Sequence, residues 1–158
     1  MSGGSEDRKA FTAPWSRPLV VVSLVATGLC LWIAISRFSG VLSSVPVVVM
    51  IGCGLFTVRG YAITPEAIVV KRLFWETRLP RIGLVSATFS PTAMKRSIRT
   101  FGNGGFFSFT GRFRNRELGN YRALVTDPSK SVVLRYPGKT IVLSPGDPEG
   151  FVRELMGP

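Results

Sequence analysis

Two apolar runs without a charged side chain, residues 18–36 and 38–58, occupy the first third of the chain, and Arg17, Arg37 and Arg59 punctuate them. From Gly60 onward the pattern changes to short alternating segments separated by turn residues. The runs are 19 and 21 residues long. About 20 apolar residues in a helix cross the ~30 Å hydrocarbon core of a bilayer, so each run is expected to form a span. As a single helix the pair would reach roughly 60 Å. A reversal is therefore expected at Arg37, Phe38, Ser39 and Gly40, giving a two-helix transmembrane hairpin over 18–58 behind a tail of residues 1–17.

The flanks orient this hairpin. Arg8, Lys9 and Arg17 precede it, Arg59, Lys71 and Arg72 follow, and the turn holds only Arg37. A bias of Lys and Arg toward the cytoplasmic side then puts both termini in the cytoplasm, with Trp15 and Tyr61 as headgroup anchors. A cleaved leader fits less well, because residues 18–35 exceed an ordinary h-region and no A-x-A-like site follows. Ala26, Cys30 and Ala34 at spacing four, and Ser44 and Gly52 eight apart, suit close helix packing. Pro46 is a candidate kink. Cys30 and Cys53 would differ in depth by about 10 Å, beyond the ~7 Å reach of a disulfide, and read as small apolar fillers.

Within the alternating part, residues 61–64, 68–73, 76–79, 84–89, 121–126, 131–136 and 140–143 read as strands. Pro65, Pro80, Pro128 and the Pro137-Gly138 pair supply the breaks between them. Spacings of about ten residues with such punctuation mark an antiparallel β structure rather than βαβ units. Lys71 and Arg72 are read as outward-facing. The closing segment is helical. Asp147 is an N-cap, Pro148 suits the first position, and Glu149 favours the positive end. Phe151, Val152 and Leu155 form its apolar face, which must pack on the sheet because so short a helix is unstable alone.

Charge sharpens this division. The 158 residues hold 20 Lys and Arg against 9 Asp and Glu, a net +11, yet mean hydropathy is +0.28. Residues 59–158 carry 16 of the basic and 7 of the acidic groups. With no histidine and only two cysteines, both in apolar runs, zinc sites, His-based acid–base chemistry and thiol catalysis are disfavoured. No cofactor is expected. Gly102-x-Gly104-Gly105 lacks the Lys-Ser/Thr that completes a phosphate loop, and its glycines read as turn formers. A nucleic-acid module is not expected either. The stretch around Phe101–Phe106 lacks the Lys/Arg-Gly start and the two-helix frame of an RNA-recognition motif.

Six motifs recur in order: Gly60-Tyr61-x-Ile63-Thr64, Ile68-Val69-Val70-Lys71, Phe101-Gly102-x-Gly104-Gly105, Gly111-x-Phe113, Leu118-Gly119-x-Tyr121 and Ser144-Pro145-x-Asp147-Pro148-x-x-Phe151. Together they resemble the bacterial pleckstrin-homology-like (PH) domain family, in its membrane-anchored variety, over about residues 60–155. The resemblance implies a partly open β-barrel of two orthogonal antiparallel sheets capped by the C-terminal helix. It implies no enzymatic activity and supplies no ligand residues. With the hairpin, it implies a multi-pass protein of the bacterial inner (plasma) membrane holding a cytosolic domain at residues 60–158.

The candidate site lies in residues 91–120. Lys95, Arg96, Arg99, Arg112, Arg114 and Arg116 stand there against Glu117 alone, with Phe101, Phe106, Phe107, Phe109 and Phe113 between them. The phenylalanines are expected to fill the barrel. The basic groups fit either a headgroup or partner contact, at about 1 kcal/mol each near an anionic surface, or a solvated rim. The favoured function is a non-enzymatic interaction or scaffold module at the inner face of the membrane, with a protein partner, another chain or a second copy. Anionic-headgroup sensing by the basic segment is the alternative. Hydrolase activity has little support, since the acids sit at turns, at caps or beside arginines.

Overall fold

The computed structural model describes residues 9–36, 41–55, 57–106 and 108–157. Its first element is one that the alternation did not indicate. Strand β1 (Lys9–Thr12) is the first element among the described residues, followed by helices α1 (Arg17–Ser36) and α2 (Val41–Leu55). Strands β2 (Gly60–Ile63), β3 (Ala67–Lys71) and β4 (Glu76–Pro80) then join β1 in a four-stranded sheet of order β1-β2-β3-β4. β1 pairs antiparallel with β2, Phe11 opposite Tyr61, so the N-terminal segment is a strand of the domain. Lys9, expected at a membrane flank, instead forms an ion pair with Glu154 at 2.5 Å.

The second sheet has six strands: β5 (Ser86–Phe89), β6 (Ile98–Phe106), β7 (Ser108–Asn115), β8 (Gly119–Val125), β9 (Val132–Tyr136) and β10 (Lys139–Leu143). Their order is β5-β9-β10-β8-β7-β6. The β9–β10 hairpin turns at Pro137-Gly138, with Gly138 at φ 69, and inserts β10 between β9 and β8. β10 and β8 consequently run parallel, which departs from the all-antiparallel expectation. Helix α3 (Pro148–Met156) closes the chain as its cap residues imply. Asp147 accepts a hydrogen bond from Gly150 N at 3.0 Å, and Pro148 occupies the first turn.

The main core is built from both sheets and α3. Tyr61, Ile68 and Val70 of the first sheet meet Leu124, Leu134, Ile141 and Leu143 of the second, with Phe151 and Leu155 of α3 completing the cluster. Alternation along β8 sends Leu124 into this core and Tyr121, Ala123 and Val125 to the opposite face. That second face is covered by the turn at 91–96. Ala93 is buried there, and Asn115 Nδ2 donates to Ala93 O at 2.8 Å. The six-stranded sheet is thus apolar on both faces over its middle, which is why its strands read as nearly continuous runs.

The helices do not form the expected hairpin of two spans. Among the described residues, no helix is long and apolar enough to cross a membrane. α2 holds 15 residues, about 22 Å against a core of ~30 Å. The chain enters the domain directly after it, because Thr57 and Val58, inside the expected second span, are buried and Val58 belongs to the main core. At the other end the first turn of α1 is seated on the domain. Ser16 N donates to Thr126 O, and Leu19 and Ser23 are buried. The apolar runs are therefore partly used in domain packing. This corrects the transmembrane hairpin and the multi-pass inner-membrane placement. The reversal expected at residues 37–40 lies outside the described residues. Tyr61, expected as a headgroup anchor, is fully buried. Cys30 is a free thiol on α1.

Candidate functional site

Three devices shape the edge of the second sheet where the basic segment lies. The first is a glycine pair. Gly102 of β6 and Gly111 of β7 are register partners with φ of 106 and 149, and a Cβ on Gly111 would lie 2.9 Å from the Gly102 Cα. Two glycines are needed for so close an approach of the two backbones. The second is irregular register, with shifts between Arg99 and Phe101 and between Gly104 and Phe106. The third is a side-chain latch, in which Tyr121 Oη donates to Ser97 Oγ at 2.6 Å and Asn115 Nδ2 reaches the same hydroxyl at 3.1 Å. Burial is the main cause that pushes the Tyr121 hydroxyl above its ordinary pKa, with the Ser97 bond opposing it.

The structure divides the six basic residues of the sequence reading. Lys95, Arg96, Arg114 and Arg116 line one groove of about 990 Å³ together with Glu117. Arg99 pairs in register with Phe113 and therefore lies on the opposite face of the hairpin from Arg114. Arg112 faces a different depression altogether. All six side chains are exposed, and none forms an ion pair among the described residues. The phenylalanines divide as well. Phe113 is buried and Phe109 packs against the second core, as expected of fillers, whereas Phe101 is 76% exposed. Phe107 and the side chain of Phe106 lie outside the described residues.

A second depression, of about 1280 Å³, opens between the sheets at the end of the main core. Arg112 and Arg122 stand directly opposite each other on β7 and β8, and Lys139 begins β10 beside them. Across from them is Arg72, from the loop after β3. The sequence reading placed Arg72 outward, but only 7% of it is exposed. Its guanidinium lies 5.8 Å from the ring centroid of Trp75, within cation–π range. Burial first, and then the like charge of Arg122, hold the Arg72 guanidinium below its ordinary pKa. No Asp or Glu lines this mouth. Arg72, Arg122 and Lys139 escaped the sequence reading because they are 50 and 17 residues apart. The one available signal was the Arg72-Leu73-Phe74-Trp75 run, where an arginine adjoins three large apolar residues at a turn.

Among the described residues no group of three or more His, Cys, Asp or Glu is placed to hold a metal ion. Two mostly antiparallel sheets around one core with a C-terminal helix define a PH-like class of β domain. Residues 59–158 match the family described as Bacterial PH domain, and the chain belongs to that family. No curated protein and no solved structure matches the chain. PH-like domains are generally non-catalytic binding modules, so the class is that of an interaction module.

Proposed function

We propose that this chain is a non-enzymatic interaction module whose basic groove, formed by Lys95, Arg96, Arg114 and Arg116, docks an acidic protein partner. The observation that carries this reading is an excess of positive charge in one groove. Four cations converge on one groove of about 990 Å³, with Glu117 as the single carboxylate among its lining residues. Exposed charges of one sign steer an oppositely charged partner and raise its association rate, an effect that salt weakens. The groove is built on a strand pair and a latched turn, so its cations are presented on a fixed frame.

The test is binding of the full chain to an acidic peptide such as oligoglutamate at 50 and 300 mM salt. Affinity should fall with salt and drop at least tenfold in the triple variant Lys95→Gln, Arg96→Gln, Arg116→Gln. Salt-independent binding, or equal affinity in the triple variant, would overturn the reading. One observation favours a second reading, contact with anionic headgroups. Ile98 and Phe101, 73% and 76% exposed, share the face of Arg112 and Arg114, a mixture of basic and apolar groups that suits a headgroup surface. That reading requires stronger binding to phosphatidylglycerol vesicles than to phosphatidylcholine vesicles, and equal binding to both would refute it.

A further inference from the structure

We propose that the slot between β2 and α3 is an acceptor site for an extended protein segment with a basic residue two positions before an aromatic one, and that the chain's own residues 9–12 are its resident ligand. The slot shares no residue with the basic groove. Its walls belong to residues 59–158, the part that matches the family, whereas β1 lies outside that part. The two sides are built differently. Gly60–Ile63 of β2 are all buried, but Lys9, Ala10 and Thr12 of β1 are exposed and Phe11 is half-buried.

The slot is shaped for a passing backbone. On one side β2 pairs with it, Phe11 opposite Tyr61 and Thr12 opposite Gly60. On the other, Gly146 N donates to Thr12 O at 2.8 Å. Glycines stand at both points of closest approach. A Cβ on Gly60 would lie 3.0 Å from Phe11 O, and one on Gly146 would lie 2.4 Å from Thr12 Oγ1. Side chains two apart on a strand share a face, and here Lys9 and Phe11 both meet α3. Lys9 pairs with Glu154, and the Phe11 ring meets Phe151 edge-on at 5.0 Å. Phe151 and Glu154 are three apart on α3 and therefore neighbours on its surface. α3 thus reads a basic–x–aromatic pattern while β2 supplies main-chain bonds that any sequence accepts, the two components of recognition by strand addition.

The resident strand is lightly held. It has four register pairs, one half-buried side chain and an exposed ion pair, and exposed ion pairs contribute little. Lifting β1 therefore takes less than global unfolding, and it uncovers the edge of β2 for another segment of the same pattern. The resident strand lowers the apparent affinity of that competitor in proportion to the fraction of molecules with an open slot.

The test uses the full chain and a fluorescent peptide of residues 7–16, read by polarisation. Phe11→Ser in the chain weakens the resident strand, so this variant should bind the peptide saturably and at least tenfold more tightly than wild type. In the peptide, Phe11→Ala and Lys9→Glu should each weaken binding at least fivefold. Charge exchange fixes the register: with Glu154→Lys added to the Phe11→Ser chain, the Lys9→Glu peptide should bind more tightly than the unaltered one. Urea unfolding establishes that the Phe11→Ser chain is folded. Lys9→Glu in the chain sets two exposed carboxylates against each other without touching the core, and should bind the peptide at least threefold more tightly than wild type. Absence of saturable binding to the folded Phe11→Ser chain would overturn the proposal, as would equal affinity of wild type and the Lys9→Glu chain. Indifference to Phe11→Ala in the peptide would do the same.

Discussion

Tyr61 of the first sheet donates its phenolic hydrogen to Leu124 O of the second at 2.6 Å, and both residues are fully buried. The same oxygen accepts from Ser144 N at 3.1 Å. Ser144 Oγ in turn accepts from Thr126 N at 2.8 Å, and the Thr126 hydroxyl donates to Pro14 O at 2.8 Å. One buried chain of hydrogen bonds thus joins the first sheet, the second sheet and the segment leading into α1.

Tyr61→Phe keeps the ring and removes both bonds, leaving Leu124 O and Ser144 N to find new partners. The expected loss is roughly 1–3 kcal/mol, read as a lower midpoint in urea unfolding with an unchanged slope. A loss below 0.5 kcal/mol would mean that the network reorganises around the missing oxygen.

The same residue gives the fold a pH dependence at the alkaline end. Burial, only partly opposed by the Ser144 bonds, pushes the Tyr61 hydroxyl up from 10.0 to about 12. The folded state therefore holds this proton where the unfolded chain releases it. Its contribution is fully present below pH 10 and declines as pH rises toward 12, by about 1.4 kcal/mol per pH unit. Burial raises Tyr121 and Tyr136 in the same direction. The test is a difference: the stability of Tyr61→Phe should fall less steeply than that of wild type between pH 10 and 12. Parallel curves would contradict this role.

Phe151 joins α3 to the paired strands β1 and β2 of the first sheet. Its ring meets Phe11 at 5.0 Å and 78° and Tyr61 at 6.2 Å and 71°, both edge-on. Phe151→Ala should cost about 3–5 kcal/mol, and amide exchange should show β1 losing protection before β9 and β10. Phe151→Leu, which retains volume, should recover more than half of the loss.

Asp147→Ala removes the acceptor for Gly150 N and should cost about 1 kcal/mol, with Asp147→Asn closer to wild type. Circular dichroism and urea unfolding of the three proteins would give the ranking. Equal stability of all three would mean that packing of Phe151 and Leu155 alone holds α3.

Gly111→Ala tests the frame of the candidate sites. The new methyl would meet Phe101 O and the Gly102 Cα, both backbone, at a φ that alanine rarely adopts. The β6–β7 pair should separate, with a loss of 2 kcal/mol or more.

The residues themselves determined what depends on near neighbours. Asp147-Pro148 dictates the start of α3, because an N-cap acts within three residues, and short β-branched runs bounded by turn residues mark β2, β3, β9 and β10 as strands. Only the tertiary structure decided partner choice across long separations: β1 added to β2, β10 inserted parallel to β8, and β6 drawn onto β7 at Gly102 and Gly111. It also decided burial. An apolar run is equally suited to lipid and to a protein core, and residues 18–58 were divided when Leu19, Thr57 and Val58 packed into the domain. The cationic mouth belongs to the same category, since Arg72, Arg122 and Lys139 converge only through strand register, and no local property of any of the three encodes that meeting.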